Sequence, residues 1–220
     1  VLGGGSYCPG GAGIAVSLSS SDATASYQLY VDGTPTGSSV PGTGLGISFG
    51  LQTTTGIYTV IATSAATCTN NMSGTASVSI LTSPAVVSVT GGGTVCGGGS
   101  GVAIGLSGSA VGISYQLYLG ATPVGAPVAG IGAALSFGLQ TVAGTYTVIA
   151  TNATTGCTSN MSGSATVAIY PLPNIYTVTG GGSYCAGGTG VAIGLSSSDV
   201  GINYQLYRGG LPVVGTITAG

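Results

Sequence analysis

The side chains able to do chemistry are few. Five of them are cysteines: Cys8, Cys68, Cys96, Cys157 and Cys185. Cys8 and Cys68 lie 60 residues apart, Cys96 and Cys157 lie 61 apart, and Cys185 follows Cys96 by 89. Gaps this long do not suit a metal cluster, and the chain has no His to complete one. Cysteines in regular pairs point instead to disulfides and an oxidising, extracellular setting. Buried free thiols are the alternative.

The carboxylates are Asp22, Asp32 and Asp199; there is no Glu, and Arg208 is the single basic residue. Calcium binding needs several oxygen ligands, usually from clustered carboxylates. The aspartates therefore read as loop stabilisers, and Arg208 as surface variation. Without His or Glu there is no Ser-His-Asp triad, no two-histidine metal site and no glutamate acid. One Arg cannot neutralise a phosphate backbone, so nucleic acid is excluded as a partner. No catalytic residue, cofactor or metal ligand is assigned, and no enzyme is expected. The run GGGTVCGGG (91–99) lacks the Lys and following helix of a phosphate loop. Its glycines read as positive-φ positions at a turn or bulge.

These residues need a scaffold, and the composition allows one. Hydrophobic residues make up 44% of the 220, against 2% charged, with 44 Gly and a mean hydropathy of +0.61. Ser and Thr together number 56. Such a chain has the means to bury a core, and no apolar run approaches a membrane helix in length. No membrane insertion is expected.

Self-comparison exposes a repeat. YTVIAT stands at 58–63 and 146–151, SFGLQT at 48–53 and 136–141, and NMSG begins at Asn71 and Asn160. YQLY begins at Tyr27, Tyr115 and Tyr204, spaced by 88 and 89 residues, the extra residue being Gly156. The predicted units are 1–83, lacking the start of its first strand, then 84–172, then 173–220, cut after its third strand. Both ends fall inside a unit, which reads as a window from a longer array. The cut unit is not expected to be stable alone.

In the second unit the predicted strands are Val86–Thr90, Val102–Ser107, Ile113–Leu119, Leu135–Leu139, Thr145–Thr151 and Ser164–Ile169. They are rich in Val, Ile, Tyr and Thr, alternate with period two and are separated by Gly, Pro, Ser and Thr. The fold class is all-β, with one sandwich in each unit of about 88–89 residues.

The run GTYTVIATN (144–152) resembles strand F of immunoglobulin domains, and SYQLYLGATPVG (114–125) resembles their strand C and the turn after it. The whole unit is similar to the tandem Ig-like and PKD-like repeats of giant secreted surface proteins of Bacteroidota, adhesin-like and exported by the type IX system. The marks are CPGG at 8–11, CGGG at 96–99 and CAGG at 185–188, with second cysteines at 68 and 157. The resemblance places Leu106 and Val148 where antibody domains have their cysteines, and Leu117 at the strand-C Trp. The implied core is aliphatic: Ile104, Leu106, Leu117, Phe137 and Val148. Tyr58 and Tyr146 match the tyrosine corner.

The same resemblance bears on the disulfides. Proximity pairs Cys8 with Cys68 and Cys96 with Cys157. Ig topology puts these partners at opposite poles, about 20 Å apart, whereas a disulfide spans at most about 7 Å between Cα atoms. In a head-to-tail array the lower pole of one unit meets the upper pole of the next. That arrangement pairs Cys8 with Cys157. Connectivity within units or between them stays open at this level.

Outward strand positions Tyr30, Ile61, Tyr118 and Ile149 are apolar beside almost no charge, and are candidates for self-association. Asn71, Asn152 and Asn160 lie in N-x-S/T sequons. The resemblance implies a structural or adhesive region of an extracellular surface protein, forming a fibre, stalk or filament. Its partners would be further copies of itself, surface glycans or other cells. The alternative is a non-catalytic spacer or carbohydrate-binding module of a large secreted enzyme.

Overall fold

The computed structural model describes residues 1–218, and among them there is no helix. The first sandwich contains β1 (Leu2–Gly3), β2 (Gly5–Tyr7), β3 (Ile14–Leu18), β4 (Ala25–Val31), β5 (Thr34–Pro41), β6 (Ile47–Gln52), β7 (Gly56–Ser64), β8 (Thr69–Asn71) and β9 (Ala76–Ile80). One sheet has the order β1-β3-β6. The other has the order β2-β9-β7-β4-β5, with β8 beside β7. Every pairing is antiparallel except β2 with β9. This is an immunoglobulin-like sandwich in which strands A, B and E face a sheet of A′, G, F, C and C′.

The second sandwich repeats the plan with β10 (Val89–Gly91), β11 (Gly93–Cys96), β12 (Val102–Leu106), β13 (Ile113–Leu119), β14 (Thr122–Ala129), β15 (Leu135–Gln140), β16 (Gly144–Asn152), β17 (Thr158–Asn160) and β18 (Ala165–Tyr170). Then come β19 (Val178–Gly180), β20 (Ile193–Leu195), β21 (Asn203–Arg208) and β22 (Leu211–Thr218), as two separate pairs.

Alternation along the strands fills two aliphatic cores. Val16, Leu18, Leu29, Ile47, Val60 and Val78 are buried in the first, and Ile104, Leu106, Leu117, Leu135, Val148 and Val167 in the second, with Phe137 packed against it. Each large side chain contributes roughly 1.5–3 kcal/mol on burial. Buried tyrosines carry their hydroxyls to backbone partners. Tyr58 donates to the Thr54 carbonyl at 2.7 Å and Tyr146 to that of Val142 at 2.9 Å. The hydroxyls of Tyr27 and Tyr115 accept the N–H of Asp22 and Ala110 at 2.7 and 2.9 Å.

Three features depart from the sequence reading, the first being that strand A, expected as the single run Val86–Thr90, continues past its glycines as β11 in the other sheet. The stretch after YQLY is a strand, not only a turn. Pro35, Gly37, Pro123 and Gly125 break its alternation, yet β5 and β14 are edge strands, where proline is tolerated. The last strand is also split: β8 and β9 pair with different parts of β7.

The repeated YQLY has its reason in the same place. The pairing of β4 with β5 shifts register between Tyr27 and Leu29, and the β13–β14 and β21–β22 pairs shift alike. Gln28 Nε2 donates to the carbonyls of Leu29 and Thr36 at 3.0 and 2.9 Å, satisfying groups that the irregular ladder leaves open. Gln116 and Gln205 do the same.

Three glycines let strand A change sheets. β10 pairs antiparallel with β12, and two residues later β11 pairs parallel with β18. Gly91 and Gly92 have φ of 90° and 86°. A Cβ on Gly91 would overlap the Ala103 carbonyl oxygen. Gly91→Ala therefore combines a left-handed backbone with a clash against β12. The expected loss is on the order of 3 kcal/mol in chemical denaturation, read against Gly97→Ala as a control without positive φ.

Candidate functional site

The cysteines are placed by two local structures. In each of the runs CPGG, CGGG and CAGG the cysteine carbonyl accepts the N–H of the residue three further on, at 2.9 Å. The third residue is Gly10, Gly98 or Gly187, with φ of 77°, 76° and 85°, as a type II turn requires. This turn connects strands A′ and B. The other cysteines lie between strands F and G. There Asn152 N–H donates to the Cys157 carbonyl, and Asn152 Oδ1 accepts from the N–H of Thr154 and Thr155 at 2.9 and 3.2 Å. The residue before the cysteine is left-handed in both loops: Gly156 at φ 73° and Thr67 at φ 64°.

Cys8 is bonded to Cys157, with Cα atoms 5.5 Å apart and a sequence separation of 149. The bond joins the A′–B turn of the first sandwich to the F–G loop of the second. The linker brings them together. Leu81 N–H donates to the Tyr7 carbonyl at 2.8 Å, holding the end of β9 beside Cys8. Six residues on, Val87 N–H meets Met161 Sδ at 3.5 Å, the Ser162 N–H donates to the Val87 carbonyl and the Val89 N–H donates to the Ser162 carbonyl, both at 2.9 Å. The F–G hairpin of the second sandwich is thus fastened to the linker that leaves the first. Sequence reasoning passed over Met161 and Ser162, although NMSG occurs twice.

Cys157 is buried, whereas Cys68, Cys96 and Cys185 are free and exposed. Among the described residues no group of three His, Cys, Asp or Glu could hold a metal ion.

The three aspartates stay apart and serve loops. Asp22 accepts from the N–H and hydroxyl of Thr24 at 3.0 and 2.9 Å, which holds its carboxyl below the ordinary carboxylate range. Asp32 takes φ 49° in the turn between β4 and β5 and accepts the Ile57 N–H at 2.9 Å. Asp199 accepts the Tyr176 hydroxyl at 2.6 Å and two N–H groups of Asn174, both at 2.9 Å. The tyrosine hydroxyl, then the asparagine, holds it low. The same hydrogen bond pushes the Tyr176 phenol up, and burial pushes Tyr58 up.

Tyr30, Ile61, Tyr118 and Ile149 lie on the outer face of the larger sheets, and all four are half-buried. More open apolar side chains stand elsewhere, among them Leu51 and Leu139, each 57% exposed. Register shifts in the β3–β6 and β12–β15 pairs leave these two opposite the outward Ala15 and Ala103.

No family model and no curated protein matches the chain. Among solved structures it is similar to murine CEACAM1b, at 13% identity over 75% of this chain and 96% of that one, with a TM-score of 0.33. It is similar to the fibronectin(III)-like modules of Clostridium thermocellum CbhA, at 12% identity over 76% and 90%, TM-score 0.36. It is also similar to a Ca2+-stabilised adhesin with which an Antarctic bacterium binds ice, at 19% identity over 77% and 47%, TM-score 0.40.

Two outcomes follow from this geometry. Cross-linking a loop this long removes about 5 kcal/mol of unfolded-state entropy in the chain-entropy model. Cys8→Ser or Cys157→Ser should lower the midpoint of the thermal transition by on the order of 10 °C, measured by calorimetry. An unchanged midpoint would show that the clamp does not couple the sandwiches. The second outcome concerns pH. Depressed carboxylates stabilise the fold above their unfolded value near 4 and lose that as pH falls through the folded one. Raised tyrosines stabilise it below about 10 and lose that as pH rises. Stability should be flat from about pH 5 to 9 and fall on both sides, read as thermal midpoints with the free thiols alkylated.

Proposed function

We propose that this chain is a structural or adhesive repeat region of an extracellular surface protein, built from head-to-tail Ig-like units 1–83, 84–172 and 173–220, and without catalysis of its own. The observation that carries the reading is the Cys8–Cys157 bond between successive sandwiches. Such a bond persists in an oxidising compartment and restrains hinge motion at the junction. The near absence of charge supports the same reading: one basic and three acidic residues in 220 give little repulsion between neighbouring molecules. The similarity of the repeats to those of secreted Bacteroidota surface proteins agrees with it.

Lateral association uses the outer faces that carry Tyr30, Ile61, Tyr118 and Ile149, and surface glycans are the partner class outside the fibre. Stability of such contacts comes from apolar burial and from Ser, Thr and backbone hydrogen bonds, so salt has little to screen. Light scattering of the whole chain against the Tyr118→Lys, Ile149→Lys double variant tests it. Wild type should associate equally at low and high salt, and the variant should remain monomeric. A monomeric wild type, or a variant that assembles as well, would remove this face from the contact.

A further inference from the structure

The Cys8–Cys157 bond changes the covalent route that a pull along the chain follows. Through the backbone alone, tension entering at Val1 passes every strand of both sandwiches. Through the bond it passes from Cys8 straight to Cys157, which lies 149 positions further on in sequence. The shorter route is drawn taut first, and the longer one stays slack.

What remains on the short route is one strand of each sandwich. In the first, β1 and β2 lead from Val1 to Cys8. The Val1 ammonium donates to the Ser73 carbonyl, ahead of β9, and the Leu81 N–H donates to the Tyr7 carbonyl, just past β9. Val1 and Cys8 therefore sit at opposite ends of β9. In the second sandwich β17 and β18 lead from Cys157 to Tyr170, which pairs with Cys96 at the end of the parallel β11–β18 ladder. Strands β3–β9 and β10–β16 are off the route. With them go Leu29 and Val60 of the first core, and Leu117 and Val148 of the second.

Without the bond the sandwiches themselves stand in the line of pull. Tension that enters at Val1 leaves the first sandwich after β9. It drags β2 past β9, parallel strands paired over Gly5–Tyr7. In the second sandwich it drags β11 past β18, paired over Gly93–Cys96. Each core is then held only by its own hydrogen bonds and packing.

We propose that the Cys8–Cys157 bond is a tension bypass: a pull along the chain is borne by strand A of one sandwich and strand G of the next, and both cores stay folded under it. The inference rests on the head-to-tail reading given above, which supplies the pull.

The test holds single molecules of the whole chain at constant force, between handles ligated to the two ends. The force is set so that protein reduced before loading opens in two resolved steps, one for each sandwich. Oxidised protein is held at that force, and a water-soluble phosphine is then added to cut the bond. Cores that stayed folded take up the load and open one at a time. The two steps together should release roughly 500 Å, the extended length of the bypassed sequence. Leu117→Ala opens a cavity in the second core alone. It should shorten the wait before one of the two steps on the order of ten-fold and leave the other unchanged.

Release of the whole length at once on reduction means that the cores had already opened under load, and overturns the proposal. A Leu117→Ala protein with both waits as in wild type overturns it too. So does reduced protein without resolved steps, because no core then takes up the load. Non-reducing peptide mapping of the same preparation separates this inference from the reading beneath it. A formed Cys8–Cys157 link with a single release overturns the bypass alone, whereas absence of the link overturns the head-to-tail reading itself.

Discussion

Strand A is hydrogen-bonded to both sheets, and the rest of the arrangement depends on that. It starts antiparallel to β3 or β12, crosses on glycines, and finishes parallel to β9 or β18. The crossing ties the two sheets at one edge. It also delivers the A′–B turn to the pole where the last strand ends. The outgoing linker starts there, so the turn cysteine and the next sandwich are neighbours by construction. A bulkier residue at the crossing would strike the carbonyl of the facing strand. The triglycine and the cysteine turn are therefore one device, only two residues apart in CPGG and CGGG units.

A fold with so little charge must settle its polar groups in other ways. Among the described residues no buried side-chain nitrogen or oxygen lacks a partner. Tyrosine does much of this work in the core, with its ring packed among aliphatic side chains and its hydroxyl on a backbone group at the rim. Glutamine does it at the bulge between strands C and C′. Aspartate and asparagine do it in loops, where their short side chains reach nearby N–H groups. An unpaired buried polar group would cost about 1–3 kcal/mol, so these contacts explain why the first Tyr and the Gln of YQLY recur along with its Leu.

The junction is a different kind of site from a pocket. Its chemistry is one covalent bond, and its geometry comes from two loops belonging to different sandwiches. Neither loop brings its cysteine near the other cysteine of its own unit. Strands B and F run the same way, so the turn before B and the loop after F sit a strand length apart. The same separation that forbids a bond within the unit permits one across the junction.

The residues by themselves determined the all-β class, the repeat and the inward aliphatic positions, and the resemblance to immunoglobulin domains added the tyrosine corners. Period-two alternation and the YTVIAT and SFGLQT runs specify which side chains point inward, and that is a local property of extended chain. Other features were decided only by tertiary structure. Proline and glycine disguise strand C′, because an edge strand has no outer neighbour whose hydrogen bonds proline would break. Strand G is split because its two halves pair with different stretches of β7. Leu51 and Leu139 face outward because a register shift beside Gly50 and Gly138 reverses the alternation after Phe49 and Phe137. The partner of Cys8 belongs to this second group. Spacing alone favoured Cys68, 60 residues away, and Cys157 stood against it only through the Ig topology that the resemblance implied. Only the direction of the strands and the path of the linker, both products of the packed sandwich, bring the sulfur of Cys157 within bonding distance.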